Sequence, residues 1–442
     1  MYCADCQEMY FKAPAELVQS GCRKRADRLS RIDGGKAGTM KIRKELLERK
    51  LITYAMEHVE LPPGGIDCGE GCNPYGFPPE CERVFREFDP ARLGPYPHSD
   101  ALYDAIRDYW EEVIDVERGN ILLSNGSIDA LYTINNIFDT HNSVVLGISP
   151  QFTDYYRHAE MIGLDYAPYQ LKKEFNYKFD TYEFIAMHFI ADRYASASMP
   201  FKSYNFIYID NPNNPTGQCI DIDDIEEIVA KALKKDITVI IDEAYGDFMP
   251  KENSAVKLFA EYPNLAVVKT LSKGYGLAGL RIGYIIAHKD LIGYMQKLVN
   301  PYQVSELARE VGAEALRHRE HVDRSAADFA EMKEEIREVL TPSVVKKSKK
   351  GEGEDAEETV RKVPGPASGR LHMAETCDTV SLLLLYHDDE EIMLRDEFLK
   401  RGVLCIDGYD FKGLDSTSAR IRLPRKEDFP VLLKAIREIN EL

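Results

Sequence analysis

Short apolar runs alternate with longer amphipathic stretches between residues 120 and 284. The short runs are rich in β-branched residues, and the longer stretches repeat apolar residues at helical spacing, which is the pattern of a parallel sheet covered by helices. The predicted strands are residues 121–123, 144–146, 206–209, 239–241, 267–269 and 282–286, and the predicted helices are residues 128–138 and 223–235. We therefore expect one large α/β domain here.

The pattern changes towards the C-terminus. Residues 346–369 carry opposed charge blocks and almost no large apolar side chains, so we expect a mobile surface insertion there. From residue 379 onward the pattern predicts a strand, a helix at 391–401, further strands including 420–423, and a closing helix from Glu427.

The expected organisation follows from these patterns. Residues 96–300 form the large domain, and residues 301–442 form a smaller α+β domain that carries the insertion. Residues 46–95 form an N-terminal arm belonging to the small domain. Residues 1–45 are an extension without an assigned role, and a first helix is predicted at residues 41–50.

The charge of the chain narrows the class of partners. Its 74 acidic and 56 basic side chains give a net charge of −18, which repels nucleic acid and anionic lipid surfaces alike. No run approaches the roughly 18 apolar residues of a membrane span, and residues 1–21 lack the apolar centre of a signal peptide. We expect a cytoplasmic protein that binds neither nucleic acid nor membrane.

The nine cysteines are odd in number and scattered, which favours reduced thiols over a disulfide framework. Cys3 and Cys6 make a lone CxxC pair, and a metal site would need a second close pair brought to it. No metal is therefore predicted. A zinc-binding role for this tail remains an alternative that could coexist with another function.

Four short motifs fall at the ends of predicted strands, where open parallel sheets bind their ligands. They are NGS at 125–127, NPNNPTG at 211–217, DEAY at 242–245 and TLSKGYGLAGLR at 270–281. Each alone has a purely structural explanation as a turn, a charged strand end or a glycine-rich loop. Their order and spacing together are far more specific.

The combined motifs resemble the fold type I enzymes that use pyridoxal 5'-phosphate (PLP), specifically the class I/II aminotransferases. Within that family the resemblance is to the branch of histidinol-phosphate aminotransferase and threonine-phosphate decarboxylase. It runs from about Ile66 to the C-terminus, leaving out residues 1–45 and 346–369. It implies a large domain with a mostly parallel seven-stranded sheet covered by helices, a smaller α+β C-terminal domain, and a homodimer with shared active sites.

The resemblance implies that Lys273 carries the cofactor as a Schiff base, in a loop where glycines let the backbone approach it. Asp242 then pairs with the protonated ring nitrogen, which strengthens the cofactor as an electron sink. Tyr245 and Asn214 match the family residues that hydrogen-bond the cofactor's phenolic oxygen. The implied catalytic residues are Lys273, Asp242 and Tyr245.

The cofactor's phosphate is a dianion that needs several donors. The resemblance implies that the backbone amides of Gly126, Ser127 and Ile128 donate to this phosphate from the start of the helix predicted after the NGS motif. Ser272 and Arg281 would complete this phosphate site, since a guanidinium fork fits phosphate geometry.

Further residues are implied by the resemblance alone. Tyr96 matches a tyrosine that reaches the phosphate of the neighbouring subunit, and Phe152 stands where an aromatic ring stacks on the pyridine, with a core role as its alternative. Arg420 matches the arginine that binds the substrate carboxylate. Arg422 competes with it, because two residues along a strand return to the same face. Asn73 either lines the substrate pocket or stabilises a turn.

The chain departs from its nearest relatives at two positions. Ile406 stands where relatives acting on phosphorylated substrates carry an arginine, and Ile128 stands where the histidinol branch often has an acidic residue. The GLDS tetrapeptide at 413–416 is closer to the decarboxylase side. These departures weaken both relatives as models for the substrate.

The sequence therefore predicts a PLP-dependent aminotransferase that moves an amino group between an L-amino acid, or a related amine, and a 2-oxoacid. Its partners are those small molecules. A PLP-dependent decarboxylase of the threonine-phosphate decarboxylase type is the alternative, because the same residues serve both reactions. A non-catalytic binding module of the same fold is a remote alternative, since residues 1–45 are too few for a winged-helix domain and the chain is strongly acidic.

Overall fold

The computed structural model describes residues 61–138, 143–190, 204–341, 343–350, 357–364 and 369–442. The predicted helix at 41–50, the extension 1–45 and the Cys3 and Cys6 pair lie outside the described residues. No helix within the described ranges is long and apolar enough to cross a membrane.

Helices and strands alternate through most of the described chain. The helices are α1 Cys81–Glu87, α2 Ala101–Trp110, α3 Gly126–Asn135, α4 Thr153–Met161, α5 Thr181–Ile185, α6 Ile222–Leu233, α7 Lys289–Met295, α8 Glu306–Leu316, α9 Arg319–Leu340, α10 Leu394–Lys400 and α11 Phe429–Asn440. The strands are β1 Ile66–Asp67, β2 Ile121–Asn125, β3 Val144–Ser149, β4 Asp165–Gln170, β5 Phe206–Asp210, β6 Thr238–Asp242, β7 Leu265–Thr270, β8 Ile282–Ala287, β9 Ser343–Lys350, β10 Glu357–Pro364, β11 Leu371–Met373, β12 Leu382–His387, β13 Val403–Leu404, β14 Ile406–Asp407 and β15 Ser418–Arg422.

The large sheet has seven strands in the order β2-β8-β7-β6-β5-β3-β4. Strand β8 runs antiparallel to both of its neighbours, and the remaining pairs are parallel. Strands β5 and β6 are in register, so that Asp210 lies opposite Asp242 where both strands end. This edge of the sheet is where ligands bind in open parallel sheets.

Side chains on both faces of the large sheet are buried in apolar cores. In β5, Ile207 and Ile209 belong to one core, whereas Phe206 and Tyr208 belong to the other, because successive strand residues point to opposite faces. Burial on both faces explains the nearly continuous apolar runs in the sequence.

A second sheet is antiparallel and has the order β11-β12-β15-β14. Strand β1, from near the start of the described chain, pairs with β13 beside it. In β14 and β15, Ile406 lies opposite Arg420. The backbone of Cys377, between β11 and β12, donates to the Gly217 carbonyl oxygen of the large domain over 3.0 Å, so the two sheets meet near the NPNNPTG loop.

The predicted strands at 121–123, 144–146, 206–209, 239–241, 267–269 and 282–286 are confirmed, with ends shifted by a few residues. The helix predicted at 128–138 begins at Gly126 and ends at Asn135. Strand β4 was missed, because it lies at the edge of the sheet, its residues are mostly half-buried or exposed, and it contains Pro168.

The region of the expected insertion contains paired strands that the sequence did not predict. Strands β9 and β10 form an antiparallel hairpin in which Ser343 lies opposite Pro364 and Lys350 lies opposite Glu357. Pairing of two strands satisfies their backbone hydrogen-bonding groups even when few side chains are apolar. The hydrophobic pattern of this charged segment therefore did not reveal the hairpin. The expected mobility of residues 346–369 stays a prediction.

Candidate active site

Two buried carboxylates lie side by side at the ends of β5 and β6. Asp242 is 3% exposed, and its Oδ2 accepts a hydrogen bond of 2.9 Å from the Tyr208 hydroxyl. Its Oδ1 accepts one of 3.0 Å from the Ala244 amide. These bonds hold the carboxyl group in one orientation at the carboxyl edge of the sheet.

Burial, with a further contribution from the charge of the neighbouring Asp210, raises the pKa of Asp242 to about 7, although the hydrogen bonds from Tyr208 and the Ala244 amide and the charge of Lys273 act in the opposite direction. A buried carboxylate is costly unless a cation compensates it. This position therefore favours a ligand that brings a positive charge to Asp242.

Asp210 was missed in the sequence analysis, although it organises the neighbouring loops. Its carboxylate accepts hydrogen bonds from the Asn214 amide at 3.0 Å, the Asn213 side chain at 2.9 Å and the Phe152 amide at 3.2 Å. Burial raises its pKa to about 6. The available signal was an aspartate ending an apolar strand directly before the NPNNPTG motif.

Lys273 lies in the loop after β7 and is half-buried. Its Nζ is 5.5 Å from the ring centroid of the buried Tyr245. A Cβ atom added to Gly71 would collide with the Tyr245 hydroxyl and lie 3.2 Å from the Lys273 Nζ. Gly71, to which the sequence analysis gave no role, therefore leaves room beside the amine of Lys273.

The start of α3 and the side chain of Arg281 lie against each other. The Nη2 of Arg281 donates to the Asn125 carbonyl oxygen over 3.3 Å, and its Nη1 donates to the Ala278 carbonyl oxygen over 3.0 Å. Gly126 has a φ of +78°, and a Cβ there would collide with the Arg281 guanidinium. A glycine is required at this position for both reasons.

The donors at this end of the site suit an anion. Gly126, Ser127 and Ile128 are the first residues of α3, and the first amides of a helix have no acceptor within the helix. Ser272 is buried, and its hydroxyl lies 2.9 Å from the Thr270 hydroxyl, which also donates to the Ile282 carbonyl oxygen over 2.8 Å. Backbone amides, a hydroxyl and a guanidinium form a set suited to phosphate.

The two candidate arginines of β15 have different environments. Arg420 is 2% exposed and donates from Nη1 to the Asn214 Oδ1 over 3.3 Å, and it also contacts the Gly69 carbonyl oxygen. It thus reaches the NPNNPTG loop of the large domain.

Arg422 binds main-chain oxygens instead. Its Nε donates to the Glu70 carbonyl oxygen over 2.9 Å and its Nη1 to the Leu423 carbonyl oxygen over 3.0 Å, while its Nη2 contacts the carbonyl oxygen of Asp67. These contacts hold the 67–70 segment against β15. The guanidinium of Arg422 is thereby engaged in stabilising the fold.

Ile406 lies beside Arg420. The two residues are direct partners in the β14 and β15 ladder, and side chains of such partners share one face of a sheet. The Cδ1 atom of Ile406 also lies 3.4 Å from where a Cβ on Gly69 would be. An apolar side chain therefore borders the guanidinium of Arg420.

Three predicted site residues have other contacts. The Asn73 Oδ1 accepts a hydrogen bond from the Tyr75 amide over 3.0 Å, which favours the turn-stabilising alternative, and its side-chain nitrogen donates to the Gly274 carbonyl oxygen and to the Ser325 hydroxyl, both over 2.9 Å. Phe152 caps α4 and packs partly against the second core. Tyr96 is 71% exposed. Its ring stacks on that of Tyr302, with 4.9 Å between the ring centroids.

Known proteins resemble this chain in sequence and fold. The model of the family "Aminotransferase class I and II" matches residues 82–350. A histidinol-phosphate aminotransferase from Pseudomonas syringae is 32% identical over 273 residues, which are 61% of this chain and 71% of that protein.

Solved structures share the fold. The structure of the histidinol-phosphate aminotransferase from Clostridium acetobutylicum gives a TM-score of 0.67 at 21% identity, covering 85% of this chain and 99% of that one. The enzyme of that name from Sinorhizobium meliloti, solved in complex with pyridoxal-5'-phosphate, gives 0.67 at 14% identity, covering 92% and 99%.

Proposed function

Because this chain belongs to the class I and II aminotransferases and is a PLP-dependent enzyme of that family, we propose that Lys273, Tyr245 and Asp242 form its reaction centre. It moves an amino group between an amino acid, or a related amine, and a 2-oxoacid. The observation that carries the assignment of residues is the placement of the Lys273 amine beside Tyr245, within the electrostatic reach of the buried Asp242.

The residues present fit the cofactor at both of its ends. Asp242 offers a buried carboxylate to the protonated ring nitrogen, and the raised pKa of this group indicates that a cation there is stabilising. The first amides of α3, with Ser272 and Arg281, offer donors to the phosphate. When bound, PLP supplies an electron sink for the substrate's α-carbon.

The protein's own groups then bind and orient the amino acid. Arg420 binds the substrate carboxylate, and its contact with Asn214 fixes the guanidinium at the junction of the two sheets. The Nζ of Lys273 takes the proton from the substrate α-carbon and later returns a proton as general acid. When the cofactor is bound, the Tyr245 hydroxyl and the side-chain amide of Asn214 would hold its phenolic oxygen.

The substrate of this aminotransferase is an unphosphorylated amino acid in our proposal. Ile406 shares a face with Arg420, and an anionic phosphate against an apolar side chain is disfavoured. Two cations that could substitute have other contacts, since Arg422 binds main-chain oxygens and Lys412 lies 3.6 Å from the carboxylate of Glu160. The named relatives act on histidinol phosphate, so this chain would differ from them in substrate.

The proposal extends to assembly and location. A homodimer is supported by the exposed aromatic rings of Tyr96 and Tyr302, which would be covered by a second copy. A cytoplasmic location is supported by the described cysteines, all of which are free thiols.

A chemical label tests the reaction centre. Borohydride reduction of the protein with bound cofactor should attach the cofactor to Lys273, as found by peptide mapping. The variant Lys273→Ala should be folded, unlabelled and inactive, whereas Lys257→Ala, which removes an exposed lysine, should be labelled like the wild type. A label on any other lysine in the wild-type protein would contradict the assignment.

A further inference from the structure

Two cysteines distant in sequence face each other where the two sheets meet. Cys219 follows the NPNNPTG motif, and Cys377 lies between β11 and β12. The side chains of the two residues interact with each other, and both residues are half-buried free cysteines. The Cys377 amide donates to the Gly217 carbonyl oxygen over 3.0 Å, which anchors the backbone on one side of the pair.

A buried lysine stands next to this pair. The Lys333 side chain from α9 is fully buried, and its Nζ donates to the Thr376 hydroxyl at 2.8 Å and to the carbonyl oxygens of Cys377 at 2.6 Å and Leu382 at 2.9 Å. The Cys377 Sγ also lies 3.5 Å from the Thr379 hydroxyl. These contacts hold the ammonium group of Lys333 beside the backbone of Cys377.

The surroundings of the two sulfurs shift their pKa values in opposite directions. Hydrogen bonds from Cys219 and Thr379, with the charge of Lys333, lower the pKa of Cys377 to about 5. The pKa of Cys219 is raised, chiefly by its hydrogen bond to Cys377 and by burial. The lowered pKa favours the thiolate form of Cys377, with the protonated thiol of Cys219 beside it, and a nucleophilic and a resolving cysteine have this arrangement.

We propose that Cys219 and Cys377 form a redox modification site, in which Cys377 reacts with a hydroperoxide and Cys219 then closes a reversible disulfide. The bond would join the loop that carries Asn214 to the sheet that carries Arg420. It requires the two sulfurs to approach each other to about 2 Å. Nothing in this site depends on the assigned roles of the reaction centre.

The step balances in atoms and electrons. The Cys377 thiolate attacks one peroxide oxygen, the O–O bond breaks, and the released alkoxide or hydroxide takes up a proton, leaving a sulfenic acid on Cys377. The sulfur of Cys219 then attacks the sulfur of Cys377, expelling the hydroxyl group, which leaves as water with the Cys219 proton. Two thiols lose two electrons, and the hydroperoxide is reduced to an alcohol, or to water if it is hydrogen peroxide.

A second pair of cysteines shows why proximity alone does not make two thiols reactive towards an oxidant. Cys68 and Cys405 are neighbours, since the Cys68 amide donates to the Leu404 carbonyl oxygen over 2.8 Å and the charge of Cys68 raises the pKa of Cys405, but they are 0% and 1% exposed. Burial raises the pKa of both thiols. Neither is therefore ionised at neutral pH or accessible to an oxidant.

Peptide mapping without reductant tests the proposal. The full-length protein is treated with a small excess of hydrogen peroxide, its remaining thiols are alkylated, and the digest is analysed by mass spectrometry. The expected product is a peptide pair linked through Cys219 and Cys377 that separates on adding dithiothreitol, while Cys72, similarly half-buried, stays alkylated. The linked protein should melt at a temperature higher by about 2 °C or more.

Matched variants separate this reaction from general oxidation. In Cys219→Ser the sulfenic acid on Cys377 cannot be resolved, so dimedone should label Cys377 and the melting temperature should not rise. In Cys377→Ser dimedone should leave Cys219 unlabelled. Aminotransferase activity of reduced Cys219→Ser reports that the variant is folded. If Cys219 remains an alkylatable thiol in the oxidised wild type, or if dimedone does not label Cys377 in Cys219→Ser, the proposal is wrong.

Discussion

At the carboxyl edge of the large sheet, buried carboxylates destabilise the free protein but are suited to binding a cation. Asp210 and Asp242 are buried side by side, burial raises the pKa of both, and the charge of Asp210 also raises the free energy of the charged form of Asp242. Hydrogen bonds from Tyr208 and the Ala244 amide reduce this cost for Asp242 without supplying a full charge. Such a carboxylate is more useful for binding a cation than for stabilising the free protein.

The first prediction concerns stability of the cofactor-free protein. The pKa of Asp242 rises from its ordinary value of 3.8 to about 7 on folding. Its contribution to stability is therefore complete below about pH 4 and is lost as pH rises to about 7. Asp242→Asn removes this titration. The free energy of unfolding of the variant, relative to that of the wild type, should therefore increase as the pH rises from about 4 to about 7.

Urea unfolding of both proteins at several pH values measures this difference. Asp223→Asn, which changes an exposed aspartate near the start of α6, is the control and should show no such trend. A constant difference between Asp242→Asn and wild type across this range would contradict the prediction. Asp242→Asn should also bind the cofactor more weakly and lose most of its turnover.

The second prediction concerns Arg420. A lysine there retains the charge but loses the paired donors of the guanidinium, and a charge-assisted hydrogen bond is worth about 1.5 to 3 kcal/mol. Arg420→Lys should therefore lower kcat/KM for amino acids by about tenfold or more. Arg425→Lys changes an exposed arginine and should leave kcat/KM unchanged. Equal kinetics for the two variants would contradict the assigned role.

At the scale of elements, the pairing of β14 with β15 determines what borders the substrate carboxylate. Ile406 and Arg420 are direct partners, so the short strand β14 brings one side chain to the face that carries the guanidinium. A one-residue shift would place Asp407 there instead. The register of this short pair therefore contributes to substrate selection.

The third prediction follows from that register. Ile406→Arg should improve kcat/KM for histidinol phosphate by about tenfold or more, because a guanidinium replaces an apolar neighbour of the phosphate. Ile406→Leu conserves volume and should resemble the wild type. Competition between histidinol phosphate and unphosphorylated amino acids measures the preference. A wild-type enzyme that already prefers histidinol phosphate would show that Ile406 does not exclude it.

At the scale of the whole molecule, large apolar side chains are exposed near the helices that flank the large sheet. They include Leu93, Tyr96, Tyr294, Leu298 and Tyr302, each about half or more exposed. The rings of Tyr96 and Tyr302 are stacked on one another in the single chain. Exposed aromatic side chains in such number are typical of a protein interface.

The fourth prediction is a homodimer in which Tyr96 contributes to the neighbouring subunit's phosphate site. Tyr96→Phe removes one hydroxyl, and a single hydrogen bond contributes about 1 kcal/mol, so cofactor affinity should fall by about fivefold. Tyr182→Phe alters another strongly exposed tyrosine and should leave affinity unchanged. Analytical ultracentrifugation gives the assembly state, and a fully active monomer would contradict the proposal.

Local sequence was sufficient for six of the seven strands of the large sheet and for proposing the candidate residues Lys273, Asp242 and Arg281. Apolar runs buried on both faces produce a strong pattern, and the motifs at their ends mark the edge of the sheet where ligands bind. The resemblance to a known family then supplied roles that spacing alone could not. The large sheet and the family are confirmed, whereas the roles of individual residues stay predictions.

Contacts between distant segments were decided only by the tertiary structure. The sequence left Arg420 and Arg422 as competitors, and their different acceptors separated them. It gave no reason to pair Cys219 with Cys377 or to assign Asp210 as the organiser of two loops. In each case the chemistry depends on which groups burial brings within a few ångströms, and such proximity is created by packing rather than by spacing along the chain.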